Sequence, residues 1–188
     1  QGVITLKKIL SYASIKEGKF FRASELHGLS QRGGSVSVHF RFGPSTSLPS
    51  IPLGAGRAGK IHSPLIGQGE ADLIIGLDLL EAARVVDFAS PNSIYLVNNY
   101  FTPFFQLSSF TKEDFLKTVS PITKNIFIIE VAKRNASIFG FVFAKQLLPF
   151  KEDSYMFGNE KSVPFEFIKE NKDAFNFGKK HKKKYEGK

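Results

Sequence analysis

The segment ADLIIGLDLLEAARVVDF (residues 71–88) decides the fold class of this chain. It opens with an apolar run that closes at a glycine, which predicts a buried strand over Ala71–Gly76. The residues that follow repeat apolar side chains at helical spacing and predict a helix near Leu79–Phe88. A buried strand that passes through a short turn into a helix is typical of alternating α/β folds.

The segments on both sides repeat this alternation of strands and helices. A first helix, ended by Gly18, carries an apolar stripe of Leu6, Ile9, Leu10 and Ala13. The further predicted strands are Lys19–Ala23, Ser35–Phe42, Ser93–Val97 (after a turn at Pro91-Asn92) and Asn125–Ala132. Further helices are predicted to about Thr118 with Thr111 as its cap, from Asn135 as a cap, and from about Pro164 to Phe177 with Gly178 past its end. Together they predict a three-layer, Rossmann-like α/β domain with a mixed, mostly parallel sheet.

Three segments lack periodicity. Residues 24–34 are polar and predict a loop, residues 43–62 are rich in Gly, Pro and Ser and predict a mobile loop, and residues 98–110 are irregular. The last of these holds Tyr100 and Phe101 in an aromatic run that is continued by Phe104, Phe105 and Phe110. Such a run belongs either to the core or to a hydrophobic patch that docks a partner subunit.

Composition excludes several classes of protein. The 188 residues suit one domain, and 42% apolar with 23% charged residues is an ordinary globular balance. There is no cysteine, which excludes a disulfide framework, a thiol nucleophile and a Cys-held iron–sulfur cluster within this chain. Because no apolar run approaches the roughly 18 residues of a membrane helix and no signal peptide precedes the first helix, we expect a soluble cytoplasmic protein without a membrane partner.

The net charge of +9 is concentrated at one end of the chain. Residues 179–188 carry +5 of it, from six lysines and one glutamate. We therefore predict a domain over residues 1–178 followed by a basic, disordered tail over 179–188. Because the domain itself is only mildly basic, nucleic-acid binding is not expected, although a nucleic-acid-associated protein that uses the tail stays open as a third hypothesis.

The polar loop over 24–34 holds the densest cluster of candidate binding residues. This short segment combines a fixed charge, hydrogen-bonding side chains and glycine N–H groups. Such a combination suits contact with an anion. The alternative is a structured turn whose polar groups satisfy one another, and composition by itself favours that alternative. The candidates are Glu25, His27, Gln31, Arg32, Gly33 and Gly34.

A second, weaker candidate is the pair Gln1 and Gly2 ahead of the first helix, where a glycine turn can aim N–H groups at a phosphate.

The histidines lack metal-ligand spacing with Asp or Glu, so no metal site is expected. His39 is expected to face solvent or to be hydrogen-bonded, and Asp78 to be solvated or to cap a helix.

The segment SELHGLSQRGGSVSVHFRFG (24–43) resembles the gamma-type domain of the 2-oxoacid:ferredoxin oxidoreductases. Within that family, the pattern of Glu25, His27-Gly28 and QRGGSV (31–36) is most similar to the beta subunit of the indolepyruvate branch. Further matches are Gln1-Gly2-Val3, SPLIGQGEADLIIGLDLLEAAR (63–84) and Asn98. The likeness is strong over residues 1–99 and looser beyond them.

The resemblance implies an accessory subunit that is inactive alone. Enzymes of this family decarboxylate a 2-oxoacid, here indolepyruvate or another arylpyruvate, with thiamine diphosphate, pass electrons through iron–sulfur clusters to ferredoxin, and form an acyl-CoA from coenzyme A. Thiamine diphosphate, its Mg and the clusters are expected in a large partner subunit, with no cofactor bound by this chain alone. The family opens with a strand and a GxGGQG turn, of which Gln1-Gly2 is the remnant. Either the given chain lacks upstream residues, or the first strand and its anion-holding loop are absent.

A different class of function stays open beside this one. A standalone small-ligand or nucleotide-binding α/β module can keep the fold without oxidoreductase activity. The presence or absence of a large, cluster-containing partner separates the two hypotheses.

Overall fold

A computed structural model describes residues 2–27, 34–43, 61, 63–103, 108–130, 138, 140–142 and 145–180. In chain order the elements are α1 (Val3–Lys16), β1 (Phe20–His27), β2 (Val36–Gly43), β3 (Ala71–Gly76), α2 (Leu79–Arg84), β4 (Ala89–Asn98), α3 (Lys112–Val119), β5 (Ile126–Ile129), α4 (Glu152–Ser162) and α5 (Ile168–Lys180), with 3₁₀ turns at Val86–Phe88 and Phe165–Phe167.

The chain divides into two compact units. One, here the hairpin unit, comprises residues 3–66 and 150–165; the other, the parallel-sheet unit, comprises 1–2, 67–149 and 166–188.

The hairpin unit begins with the helix that the sequence predicts. Helix α1 buries Ile9, Leu10 and Ala13. Gly18 follows it with a φ of +63°, a left-handed conformation that favours glycine and ends the helix. The apolar stripe and its stop are confirmed.

Strand β1 is longer than predicted. It pairs antiparallel with β2, with Phe20 opposite Gly43 and His27 opposite Val36. The prediction of a loop from residue 24 onward was therefore wrong for residues 24–27, which are strand. The ladder of backbone hydrogen bonds to β2 stabilises this polar stretch, and a single-strand pattern does not reveal such pairing.

An aromatic cluster packs one face of the hairpin. The rings of Phe21 and Phe40 stack with centroids 5.4 Å apart, and Phe42 meets Phe150 at 5.1 Å. Phe150 in turn contacts Tyr155 of α4 at 5.7 Å. These contacts join the hairpin to α4.

The sequence pattern missed helix α4. Its buried residues are Ser154, Tyr155, Gly158 and Asn159, so no apolar stripe marks its inner face. The helix instead approaches α1 closely: a Cβ added at Gly158 would overlap the backbone carbonyl of Ile9. Close backbone packing replaces apolar side chains here.

The opposite face of the hairpin is covered by the segment that ends at Ile66. Arg22 Nε donates to the carbonyl of Ile61 at 2.9 Å, and Arg41 Nη1 donates to that of Leu65 at 3.0 Å. The N–H of Ile66 donates to Nδ1 of the buried His39 at 2.9 Å. His39 is thus hydrogen-bonded, one of its two predicted states.

The parallel-sheet unit carries the alternating α/β part of the chain. Its strands run in the order β3-β4-β5, and all neighbours are parallel. The central strand is fully buried at Tyr95, Leu96 and Val97. The α/β class is confirmed, and the antiparallel pair β1-β2 forms a separate two-stranded sheet among the described residues.

Two local predictions in this unit were wrong. Pro91-Asn92 lies within β4 rather than in a turn, at an irregularity where Ala71 pairs with Ala89 but Leu73 pairs with Ile94. The extra residues on β4 form a bulge, which accommodates proline. Gly178 lies inside α5, where it is buried, because packing rather than glycine's propensity decides that position.

The helix starts were better predicted. Thr111 and Asp114 form a complete capping box at α3. The predicted loop at 43–62 lies outside the described residues apart from Gly43 and Ile61, and so does Asn135. Of the predicted tail over 179–188, Lys179 and Lys180 lie in α5, and residues 181–188 lie outside the described residues. Among the described helices, none is long and apolar enough to cross a membrane.

Candidate functional site

The structure brings together two of the predicted site residues, Glu25 and His27. Both lie in β1, two residues apart and therefore on the same face of the strand. Gly34 lies just ahead of β2, and Gly2 precedes α1 with a φ of +106°. The remaining candidates lie outside the described residues: Gln1, Gln31, Arg32 and Gly33.

Glu25 is the centre of a three-residue polar cluster. Its Oε2 lies 3.0 Å from Nε2 of His27, and its Oε1 contacts the ammonium of Lys7 on α1. The side chain of His27 is 52% exposed while that of Glu25 is 27% exposed, so the imidazole is the group that meets solvent. We call these three residues the Lys7–Glu25–His27 cluster.

The two partners of Glu25 keep its carboxylate ionised. The hydrogen bond from Lys7, followed by that from His27, lowers the pKa of Glu25 below its ordinary value of 4.5. The carboxylate accepts the Nε2–H of His27, which leaves Nδ1 as the acceptor nitrogen of the neutral ring. A ring oriented in this way can bind a ligand hydroxyl or amide, and in its protonated form it can bind an anion.

Lys7 was missed by reasoning from the sequence. It lies 18 residues before Glu25, and nothing in the local pattern links them. The available signal was its position three residues before the buried Leu10, at the border of the buried stripe of α1. A lysine at such a border can turn its head group toward a neighbouring element.

A second polar row follows the carboxyl ends of the parallel strands, where open α/β sheets bind their ligands. Asn99, directly after β4, donates through Nδ2 to Oε1 of Glu130, directly after β5, at 3.1 Å. This pair was not predicted from the sequence, because Asn99 lies two residues beyond the predicted strand Ser93–Val97 and Glu130 lies inside the predicted strand Asn125–Ala132. These two side chains present an amide and a carboxylate at the sheet edge.

Asp78, at the same edge, has a structural role. It caps α2 by accepting hydrogen bonds from the backbone N–H groups of Leu80 and Glu81. Its other oxygen accepts from the N–H of Thr102 at 2.8 Å. The predicted capping role is confirmed.

The aromatic run is partly described. Tyr100 is 42% exposed. Phe101 and Phe110 are in ring contact, with centroids 6.3 Å apart. Phe104 and Phe105 lie outside the described residues. Docking of a partner subunit at this run stays a prediction.

The described residues do not fit a metal ion, and the chain does not fit a Cys-held iron–sulfur cluster. The chain has no cysteine. Within the part that the structure describes, no group of three or more His, Asp or Glu side chains can hold an ion. These 188 residues therefore offer no ligand for an iron–sulfur cluster of the usual thiolate type.

A family model described as pyruvate ferredoxin/flavodoxin oxidoreductase matches residues 1–180. The chain belongs to this family. The resemblance drawn from residues 24–43 and 63–84 is thereby confirmed at the level of the family.

Curated relatives carry a more specific name. The chain is 34% identical over 98 residues to indolepyruvate oxidoreductase subunit IorB of Archaeoglobus fulgidus, a match that covers 52% of this chain and 41% of the relative. It is 34% identical over 107 residues to the subunit of that name in Methanothermobacter thermautotrophicus, covering 57% and 46%. The matched segment thus spans less than half the length of these relatives.

Solved structures of family members share the fold. Pyruvate oxidoreductase subunit PORC of Thermotoga maritima superposes with a TM-score of 0.62 at 18% identity, covering 94% of this chain and 88% of that chain. The gamma subunit of a keto/oxoacid ferredoxin oxidoreductase of Geobacter sulfurreducens gives 0.57 at 16% identity, covering 95% and 87%. At this identity the likeness concerns the fold.

Proposed function

We propose that this chain is an accessory subunit of a 2-oxoacid:ferredoxin oxidoreductase that acts on indolepyruvate or another arylpyruvate and is cytoplasmic. The observation that carries the proposal is the family match over residues 1–180. The indolepyruvate branch is supported by the name of the relatives that are 34% identical. The whole enzyme would decarboxylate the 2-oxoacid oxidatively and transfer the acyl group to coenzyme A.

The proposal assigns the redox chemistry to a large partner subunit. Thiamine diphosphate, its Mg and the iron–sulfur clusters would be bound there, and ferredoxin would accept the electrons from the complex. The absence of cysteine from this chain supports that division, because such clusters are held by thiolates. This chain would supply surface and positioned polar groups.

The hairpin between β1 and β2 is the surface that we assign to this role. The imidazole of His27 lies at the end of β1, held by Glu25, and residues 31–34 follow with Gln31, Arg32 and a pair of glycines. A fixed cation and glycine N–H groups suit an anion, namely the carboxylate of the 2-oxoacid or a phosphate of thiamine diphosphate or coenzyme A. Gln1 and Gly2 are proposed as the remnant of a second anion-binding turn.

Co-expression of the chain with a large, cluster-containing subunit of the kind that the proposal requires tests this function. We expect the two chains to purify together and to reduce ferredoxin in the presence of coenzyme A, with indolepyruvate preferred over pyruvate and 2-oxoglutarate. Each chain alone should be inactive. A large subunit that is fully active without this chain would contradict the proposal and favour the standalone ligand-binding module.

A further inference from the structure

A cavity of about 330 Å³ opens within the hairpin unit. Helix α1 and strand β1 form its walls, and the segment that covers the hairpin contributes a proline. The lining residues are Lys7, Ser11, Phe21, Arg22, Ala23 and Pro64. This volume lies at the lower end of the range of small-molecule sites, about 300–1,000 Å³.

The charge of the lining is positive. Among the described residues that line the cavity, Lys7 and Arg22 carry a positive charge and none is a carboxylate. Lys7 is already paired with Glu25, whereas Arg22 donates through Nε to the uncharged carbonyl of Ile61. Among the described residues no carboxylate forms an ion pair with Arg22, so its positive charge is available to a ligand.

The guanidinium is held in place rather than loose. The hydrogen bond to Ile61 measures 2.9 Å, and the guanidinium carbon lies 5.5 Å from the ring centroid of Phe20. A guanidinium that donates one N–H to a carbonyl still has its other N–H donors, whose planar arrangement matches a carboxylate or a phosphate. An arginine fixed in this way loses little side-chain entropy on binding.

The rest of the lining is apolar or neutral. Phe21, Ala23 and Pro64 are the apolar residues of the lining, and the hydroxyl of Ser11 donates to the carbonyl of Lys7 at 2.9 Å. A bare ion would leave this surface unused, whereas an anion with a compact apolar body would cover it.

We propose that this cavity binds a small organic anion, whose carboxylate or phosphate meets Arg22 and Lys7 and whose apolar body packs on Phe21, Ala23 and Pro64. This proposal does not depend on the assignment of the chain to an oxidoreductase complex. An absence of oxidoreductase activity would therefore leave this proposal intact, and an absence of anion binding here would leave the proposed oxidoreductase function intact.

Binding to the full, purified chain tests the proposal, with phenylacetate and inorganic phosphate as probes and 2-phenylethanol as the neutral control. We expect phenylacetate to bind more tightly than phosphate, because phosphate lacks the apolar body, and 2-phenylethanol not to bind measurably. Tighter binding by phosphate would identify a plain anion site and overturn the apolar part of the proposal. Equal binding of 2-phenylethanol and phenylacetate would overturn the role of charge.

A matched pair of variants locates the site. Arg22→Gln should weaken phenylacetate binding about tenfold or more, since a charge-assisted hydrogen bond is lost. Arg41→Gln is the control: Arg41 is the cross-strand partner of Arg22 and also donates to a backbone carbonyl, but it does not line the cavity. Equal loss in both variants would overturn the site.

A third variant keeps the test decisive if Arg22→Gln unfolds. Ala23→Val narrows the cavity and leaves every charge in place, so it should weaken phenylacetate binding without changing the binding of phosphate. A folded Ala23→Val chain that binds phenylacetate as the wild type does would place the ligand elsewhere.

Discussion

Nε2 of His27 lies 3.0 Å from Oε2 of Glu25, two residues earlier on the same strand. Because β1 is paired with β2 as far as His27, both side chains project from a hydrogen-bonded strand rather than from a loop. Their mutual geometry is therefore set by the pleat of the sheet. A rigid element holds polar groups more precisely than a loop does, which suits a surface that must meet a partner or a ligand.

The pKa of Glu25 predicts how this cluster responds to acid. Because hydrogen bonds from Lys7 and His27 lower the pKa below 4.5, the cluster stabilises the fold above that pH and loses this contribution as the pH falls through the lowered pKa. Glu25→Gln should therefore be less stable than the wild type near neutral pH, and the difference should shrink as the pH falls below 4.5. Urea unfolding of both proteins at roughly pH 3 to 7, the range in which carboxylates titrate, measures this difference in stability.

Lys7→Met provides the control for that series. In the Lys7→Met background the main cause of the lowered pKa is gone, so the further change Glu25→Gln should cost less at neutral pH than it does in the wild type. A cost that is equal in both backgrounds would show that Lys7 and Glu25 do not interact in solution.

His39 predicts a second pH dependence at higher pH. Burial lowers its pKa below 6.5, and its Nδ1 accepts the N–H of Ile66, so the neutral ring is the form that stabilises the fold. This contribution is present above pH 6.5 and is lost as the pH falls toward the lowered pKa, because the unfolded chain then binds more protons. His39→Gln keeps an acceptor that does not titrate and should gain stability relative to the wild type on going from pH 7 to pH 5 (roughly the titration range of histidine). Parallel stability profiles of the two proteins would contradict this account.

Gly158 predicts a steric effect between α1 and α4. Gly158→Ala adds a Cβ that overlaps the backbone carbonyl of Ile9, so the helices must separate, at a cost of about 1–3 kcal/mol. Helix propensity by itself favours alanine over glycine and would give the opposite outcome, a gain in stability of up to about 1 kcal/mol. Chemical unfolding decides the sign, and Glu160→Ala, on the exposed side of the same helix, should stay within about 0.5 kcal/mol of the wild type.

The parts of the fold that were predicted correctly have local signals. The apolar run of β3, the stripe of α1 and the cap at Thr111 are all legible from a few neighbouring residues. Helix α4 was missed because it buries glycine and asparagine instead of an apolar stripe. Close helix packing depends on the partner helix, which no local pattern records.

In the candidate site, too, residue types could be predicted from local sequence, whereas contacts between distant residues could not. Glu25 and His27 were named from their residue types, but their strand conformation comes from pairing with β2. Their contact with Lys7 joins residues 18 positions apart. Arg22 and Pro64 were not predicted as site residues, because the cavity that they share with α1 exists only after folding.

The kinetics of an Arg32→Ala variant in the reconstituted complex test the central claim most directly. If Arg32 meets an anion in the complex, its loss removes a charge-assisted contact of about 1.5–3 kcal/mol, which corresponds to a fall of roughly 10- to 150-fold in kcat/KM for the 2-oxoacid or coenzyme A. The melting temperature of the isolated chain should stay unchanged, because the proposed contact of Arg32 with an anion forms only in the complex. Unchanged kinetics in a fully assembled complex, or a destabilised chain with normal kinetics, would contradict the account.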